Sequence, residues 1–254
     1  MILKDKKAAI FGVANNKSIA YGISKSFKDN GARLAFSYVG EAIQKRVEPI
    51  SQELGGDFIF PCDVSSDESI AEAAAIVKKE WGSLDVLVHS VAFAQREDLQ
   101  GRFIDTSRDG FRIALDISAY SLVALCKAFE DMLNPGASVI TMTYYGSTKV
   151  ITNYNVMGVA KAALDCSMRY LSTELGPKNI RINAISAGPI RTLAASAVSG
   201  MRDMLSELAE KVPLRRNVSI EDVGGLATFL ASDLSSGVTG DTIFVDAGYN
   251  IMGV

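Results

Sequence analysis

Short apolar runs and helical patterns alternate along the whole chain, and this alternation is the feature that most restricts its fold. Seven runs have the length and composition of strands: 6–12, 32–38, 57–61, 84–90, 137–143, 179–186 and 241–245. Helical periodicity separates them, near 18–30, 41–54, 67–80, 109–133, 154–175 and 220–231. Nearly continuous apolar strands joined through helices predict a parallel sheet that is covered on both faces. Right-handed crossovers then give a seven-stranded, doubly wound Rossmann-type α/β fold.

Size and composition favour one domain spanning 1–254. A chain of 254 residues can bury a large core, and neither an internal repeat nor a linker divides it. The net charge of −3 gives no electrostatic argument for nucleic acid binding. No apolar run approaches the roughly 18 residues of a membrane span, and we expect a cytoplasmic protein. With one histidine, His89, and no C-x-x-C spacing, we expect neither a metal site nor a Ser-His-Asp hydrolase.

The segment after the first strand predicts a dinucleotide site, because ligands of such sheets bind beyond the carboxyl ends of the strands. It reads G-V-A-N-N-K-S-I-A-Y-G from Gly12, which is not the usual G-x-G-x-x-G fingerprint. Gly12 still permits close backbone approach, and Ser18 is expected to begin the next helix as its N-cap, so free N–H groups would attract a pyrophosphate. We predict that Gly12, Ala14, Ser18 and Ile19 bind the cofactor. A plain strand–loop–helix connection is the alternative.

The ends of the next three strands extend this predicted cofactor site, which lies mostly within 1–150. The second strand ends at Val39. No acidic side chain stands there to bind the ribose hydroxyls, and no basic side chain stands there to bind a 2′-phosphate, so NADH is favoured over NADPH. Asp63 and Val64 follow the third strand, where the carboxylate would accept a bond from the adenine amino group. Small residues after the fourth strand let a ring lie on the backbone: Ser90, Val91, Ala92 and, toward the substrate, Ala94.

The stretch Y-N-V-M-G-V-A-K places Tyr154 seven residues before Lys161, so in a helix both side chains lie on one face, about 10 Å apart along the axis. A phenol and an ammonium displayed together suit proton delivery to a developing oxyanion. The cation is expected to lower the pKa of the phenol. The alternative is a tyrosine near a helix start and a solvated lysine.

Together these segments resemble the short-chain dehydrogenase/reductase superfamily and, more narrowly, the bacterial type I enoyl-acyl carrier protein reductases. The resemblance covers essentially the whole chain. It rests on Tyr144, ten residues before Tyr154, and on 12–20, 62–64, 89–94, 154–164, 181–196 (R-I-N-A-I-S-A-G-P-I-R-T-L-A-A-S) and 220–224 (I-E-D-V-G). Most of the superfamily places its tyrosine four residues before the lysine, a position that Met157 occupies here, whereas enoyl reductases place it two turns before. Tyr145 and Lys149 have the four-residue spacing, but they precede the predicted helix and need not share a face.

The resemblance implies reduction of a trans-2-enoyl thioester on acyl carrier protein, the final reductive step of fatty-acid elongation, with hydride from NADH. Tyr154 would donate to the enolate oxygen, Lys161 would bind the nicotinamide ribose and Tyr144 would shape the acyl site, unless Tyr144 is only a packed strand aromatic. The resemblance also implies nicotinamide contacts from Pro189, Ile190 and Thr192, and substrate contacts from Met157 and Ala194. A lid over 193–212 is implied as well, with an ordinary surface helix as the alternative.

Two partners follow from the same resemblance. The acidic carrier protein needs a basic docking surface beside the lid. Four residues are candidates for it, namely Arg202, Lys211, Arg215 and Arg216, and their charge is diluted by Asp203, Glu207 and Glu210. A homotetramer is expected, and the apolar carboxyl end, 248–254, is consistent with burial between subunits. Two other functions remain open, namely a ketoreductase that uses Tyr145 and a catalytically silent dinucleotide sensor.

Overall fold

A seven-stranded parallel sheet forms the centre of the computed structural model, which describes residues 1–192 and 208–253. The predicted lid lies outside these ranges apart from 208–212, and so does Ala194. The strands are β1 (Lys7–Phe11), β2 (Arg33–Tyr38), β3 (Phe58–Pro61), β4 (Leu84–His89), β5 (Leu133–Thr143), β6 (Arg181–Ala187) and β7 (Thr242–Val245). Their order is β3-β2-β1-β4-β5-β6-β7, and every pairing is parallel. The predicted α/β fold is confirmed, and the reversal of strand order between β1 and β4 opens the ligand crevice there.

Helices cover both faces of this sheet. They are α1 (Ile19–Asp29), α2 (Gly40–Glu53), α3 (Asp67–Trp81), α4 (Arg108–Leu115), α5 (Ser121–Phe129), α6 (Asn155–Leu175) and α7 (Ile220–Ala231). In β1, Ala9 and Phe11 belong to the core shared with α3, α5 and α6, whereas Ala8 and Ile10 belong to the core shared with α1, α2 and α7. Because both faces are buried, the strands are apolar at successive positions, as the sequence pattern predicted.

Two glycines let α1 and α7 pack backbone against backbone. A Cβ on Gly22 would lie 2.4 Å from the Ile220 carbonyl oxygen, and one on Gly224 would lie 2.7 Å from the Gly22 oxygen. This approach brings the start of α7 beside the loop between β1 and α1. A cleft results, lined by Asn16, Lys17, Pro189, Ile190, Arg191, Asn217, Val218, Ser219, Ile220 and Glu221.

The helical pattern predicted near 109–133 is confirmed, because every residue from Arg108 to Met132 is helical. The pattern did not indicate that a π-helical turn, Asp116–Tyr120, follows Leu115, or that α5 ends at Phe129. A short 3₁₀ turn then leads into β5, which starts at Leu133 instead of 137. A π turn adds one residue to a helical repeat, and apolar periodicity over two turns cannot register so local a change.

Candidate active site

The amino end of α1 is left open for an anion. Ser18 occupies the predicted N-cap position in extended conformation, but it makes no side-chain capping bond and its hydroxyl donates to the Asn15 carbonyl oxygen at 2.6 Å. Serine side chains do cap α3, α4 and α7. The first N–H groups of α1 therefore keep their capacity to bind a phosphate, with the positive end of the helix dipole behind them.

Gly12 brings the ends of β1 and β4 into direct contact. Its φ of +105° lies in the left-handed region, and a Cβ there would lie 2.1 Å from the Ser90 carbonyl oxygen. The Ser90 N–H donates to the Phe11 carbonyl oxygen at 3.0 Å. Only glycine allows this approach, so the segment predicted to hold the pyrophosphate meets the segment predicted to hold a ring of the cofactor, at the carboxyl ends of β1 and β4.

The ends of β2 and β3 lie at the same edge. Val39 is half exposed, and Lys45, one turn into α2, pairs with Glu41 at 3.9 Å. The exposed Asp63 carboxylate accepts from the Ser65 N–H at 2.9 Å and from its hydroxyl at 2.7 Å, both through Oδ1, which leaves Oδ2 for a ligand. The other predicted cofactor residues here and after β4 are partly buried or exposed: Ala14, Ile19, Val64, Val91 and Ala92.

The segment after β6 closes the opposite side of the cleft. The Gly188 N–H donates to the Val245 carbonyl oxygen at 2.8 Å, and Pro189 is buried. The Thr192 N–H donates to the Ile190 carbonyl oxygen at 2.8 Å, so the chain turns tightly at the point predicted to meet the nicotinamide.

Lys161 lies inside the protein, 5% exposed, on α6. Its Nζ donates to the Met142 carbonyl oxygen of β5 at 2.7 Å. Burial lowers the pKa of Lys161 to about 8, against the opposing charge of Asp165 one turn further along α6. An ammonium has three N–H donors, so two remain for a ligand.

Tyr154 lies directly before α6, and its ring packs edge-on against Tyr144, with centroids 4.9 Å apart at 73°. Burial raises the pKa of Tyr154, and the charges of Tyr144 and Asp165 raise it further. The expectation that the pKa of this phenol is lowered is wrong, because burial is the largest cause of the shift and loss of hydration disfavours the phenolate. The phenol stays protonated and is a hydrogen-bond donor.

Tyr144 directly follows β5 and is 9% exposed. Burial raises its pKa, so this phenol is also neutral. Within the described ranges its hydroxyl has no hydrogen-bond partner. A buried hydroxyl without a partner is costly, which fits a group that awaits a ligand.

Tyr145 faces away from α6. Its ring packs on Tyr249 and Phe244 at 5.5 and 6.1 Å, and its hydroxyl donates to the Asn250 carbonyl oxygen at 3.1 Å. Lys149 is exposed. The competing tyrosine–lysine pair does not assemble.

The predicted substrate residues Ala94, Tyr154 and Met157 come together in one apolar cluster. Sequence reasoning missed Val156, which precedes Met157 on α6, and also two members from other segments, Leu99 after β4 and Ala114 on α4. Neither belongs to a motif, so only the path of the chain could reveal them. In 1–192 and 208–253 no group of three His, Cys, Asp or Glu side chains could hold a metal, and no helix is long and apolar enough to cross a membrane.

Comparison with known proteins identifies the family. The model of the enoyl-(acyl carrier protein) reductase family matches residues 12–250. The enoyl-[acyl-carrier-protein] reductase [NADH] of Rickettsia felis is 50% identical over 252 residues, 99% of this chain and 97% of the relative. The Bacillus cereus enoyl-acyl carrier protein reductase, solved with NADP+ and indole naphthyridinone, superimposes with a TM-score of 0.98 at 46% identity, covering 100% of this chain and 99% of that one. The Anaplasma phagocytophilum enzyme, solved with NAD, gives 0.95 at 44% identity, covering 100% and 95%.

These similarities extend over the full chain and agree with the two-turn tyrosine–lysine spacing and the parallel sheet. The chain belongs to the enoyl-(acyl carrier protein) reductase family of the short-chain dehydrogenase/reductase superfamily.

Proposed function

We propose that this protein reduces the carbon–carbon double bond of a trans-2-enoyl thioester on acyl carrier protein, using NADH, and so completes a round of fatty-acid elongation. The observation that carries the proposal is the neutral Tyr154 phenol directly before the helix that bears the buried Lys161 ammonium, with Tyr145 packed instead against Tyr249 and Phe244. A full-length relative named as an NADH-dependent enoyl reductase supports it.

The crevice fits a dinucleotide. The Gly12–Ser90 contact and the uncapped start of α1 form a cradle for a pyrophosphate, made of backbone groups. In the proposal Ala14, Ser18 and Ile19 complete it. The adenosine end lies on Val39, Asp63 and Val64, and the nicotinamide end on Ser90, Val91, Ala92, Pro189, Ile190 and Thr192.

When bound, NADH would supply a hydride to the β-carbon of the substrate, and a proton, ultimately from water, would complete the reduction at the α-carbon. Negative charge builds on the thioester oxygen after the hydride transfer, and stabilising that charge is where such an enzyme gains most. Tyr154 donates its O–H to this oxygen, and Tyr144, packed on its ring, holds the phenol in place and lines the acyl site. The remaining N–H groups of Lys161 bind the nicotinamide ribose, while the hydrogen bond to the Met142 carbonyl oxygen holds the ammonium in place.

The choice of NADH over NADPH rests on the end of β2. A 2′-phosphate needs a cation at the end of this strand, and no basic side chain stands at 38–40; Lys45 and Arg46 lie a turn further into α2, where the exposed Lys45 is 3.9 Å from Glu41. The comparison enzymes were solved with NADP+ in one case and NAD in the other, so both cofactors belong in the assay.

Carrier protein, subunit assembly and location complete the proposal. The acyl carrier protein docks beside the basic residues Lys211, Arg215 and Arg216, the last of which forms a bidentate pair with Asp222 at 2.6 and 2.9 Å. The protein assembles as a homotetramer in the cytoplasm, and Ile251, 74% exposed in the single chain, becomes buried between subunits. Sedimentation that shows only a 27.2 kDa species would contradict the assembly.

The decisive experiment follows NADH oxidation by absorbance with crotonyl and longer enoyl thioesters, and repeats it with NADPH. Tyr154→Phe and Lys161→Met should lower kcat/KM by roughly 100-fold or more, whereas Tyr145→Phe should retain activity. Turnover of a 3-oxoacyl thioester that depends on Tyr145 would establish the ketoreductase. NADH binding by calorimetry without oxidation would establish the sensor.

A further inference from the structure

His89 ends β4, immediately before Ser90, and is fully buried. Hydroxyl groups hold both ring nitrogens. Nδ1 lies 2.8 Å from Thr141 Oγ1 of β5, and Nε2 lies 2.8 Å from Ser121 Oγ, at the start of α5. The proposed mechanism uses none of these three side chains.

The direction of the hydrogen bonds fixes the tautomer. Ser121 donates its only hydroxyl proton to the Ile117 carbonyl oxygen at 2.7 Å, so it accepts from His89. Nε2 therefore carries the proton, and Nδ1 accepts from Thr141. Burial, together with the charge of Lys161, lowers the pKa of His89 to about 3, so the neutral ring persists across physiological pH.

The two bonds of the ring are not equivalent. His89 and Thr141 are already paired by backbone register in the sheet, so their side-chain bond joins two strands that are held anyway. Ser121 directly follows the π turn, Asp116–Tyr120, and its hydroxyl closes back on that turn at Ile117. The Nε2 bond thus links the end of β4 to the π turn.

The π turn touches both parts of the active site. Ser118, within the turn, accepts from the Phe93 N–H at 2.9 Å and donates to the Phe93 carbonyl oxygen at 3.0 Å. The Ser118 hydroxyl oxygen also lies 3.8 Å from Met157 Sδ on α6. Ser118 therefore holds the backbone at Phe93 beside α6, the helix that carries Lys161. Phe93 lies between Ala92 and Ala94, the residues assigned to the nicotinamide and the acyl chain.

We propose that His89 is a positioning residue for this reaction: through Ser121 its imidazole holds the π turn, and through Ser118 the turn holds the backbone at 92–94. Histidine suits the place because one rigid neutral ring donates from one end and accepts at the other. The inference rests on the proposed function for its effect on turnover, but its effect on the backbone can be measured without turnover.

The test uses two pairs of variants. Ser121→Ala and Thr141→Val each remove one hydroxyl partner of the same ring. His89→Gln places an amide N–H where Nε2 stands and keeps the bond to Ser121, whereas His89→Asn reaches only the Nδ1 position. We expect kcat for enoyl thioester to fall about tenfold in Ser121→Ala and His89→Asn, and to stay within about threefold in Thr141→Val and His89→Gln.

Hydrogen exchange provides the second measurement, because the Phe93 N–H is bonded to Ser118. Amide exchange over 90–96 should accelerate in Ser121→Ala and in His89→Asn, but not in Thr141→Val or His89→Gln. Urea unfolding measures the overall stability of all four variants. Equal losses of kcat and equal exchange within each pair would show that the ring is only core packing, and would overturn the proposal. An inactive wild type would instead overturn the proposed function, and the exchange result would still decide the role of His89.

Discussion

The two halves of the proposed active site are built from different parts of the chain. The cofactor half, at the ends of β1 and β4, is made of backbone: a glycine against a carbonyl oxygen and the open N–H groups of α1. The chemical half, at the end of β5 and the start of α6, is made of side chains: Tyr144, Tyr154 and Lys161. Backbone geometry can be achieved by several sequences, so the cofactor half lacks the G-x-G-x-x-G fingerprint and still has the shape. Side-chain chemistry cannot be substituted, so the tyrosine–lysine spacing is diagnostic.

Gly12→Ala should have the largest effect and break the cofactor half alone. Its Cβ would overlap the Ser90 carbonyl oxygen in a backbone conformation that costs about 1–3 kcal/mol for other residues, so NADH affinity should fall roughly 5- to 150-fold. Calorimetry measures the affinity. Gly225→Ala is the matched control, since nothing lies within 4 Å of the added atom. Equal NADH binding by the Gly12 and Gly225 variants would refute the backbone cradle.

Gly146→Ala should break the chemical half and spare the cofactor half. The added Cβ would lie 2.5 Å from Tyr154 Cδ1 and 3.4 Å from Tyr144 Cδ1, so the phenol must move. Displacement of about 1 Å should lower kcat roughly 10- to 100-fold, with NADH affinity unchanged. Steady-state rates at saturating NADH give kcat. Gly176→Ala is the control: Gly176 lies in open space at the end of α6, and this variant should retain full activity. A Gly146→Ala enzyme with unchanged kcat would contradict the assigned position of Tyr154.

The pH profile should sharpen the contrast, because the chemical half contains Lys161, whose charge titrates near neutrality. The pKa of Lys161 is lowered to about 8, so its charge is lost as pH rises through that value. The kcat/KM of the free enzyme should fall above about pH 8, approaching tenfold per pH unit. Lys161→Arg, which stays charged, should lack this decline. A flat wild-type profile up to pH 9 would show that the charge is not required.

Asp165→Asn should give the smallest effect. The carboxylate is 6% exposed on α6 and raises the pKa of Lys161, so its removal should move the alkaline decline of kcat/KM to lower pH. It also raises the pKa of Tyr154, so the phenol should remain protonated in the variant because burial is the larger cause. The charge-conserving Asp165→Glu should restore the wild-type profile. A shift toward higher pH in the Asn variant would reverse the assigned sign.

The sequence predicted much of the site but not its electrostatics. Tyr154 and Lys161 could be named from their spacing, whereas Tyr144 could be named only from the family resemblance. The pKa of Tyr154 could not be predicted, because it depends on how much water the fold removes from the phenol. Ser18 stands at the expected helix start, yet its hydroxyl bonds Asn15, a choice between nearby acceptors that local sequence leaves open.

By itself the sequence determined the order of strands and helices, the parallel sheet and the two-turn spacing of Tyr154 and Lys161, because periodicity and spacing are properties of the chain alone. Tertiary structure decided that Tyr145 packs against Tyr249 and Phe244 and not beside Tyr154. It also decided where the helical run after 108 forms a π turn, and that His89 links β4 to that turn. Those outcomes depend on contacts between segments far apart in sequence, whose burial and hydrogen-bond geometry exist only once the sheet and its helices have packed.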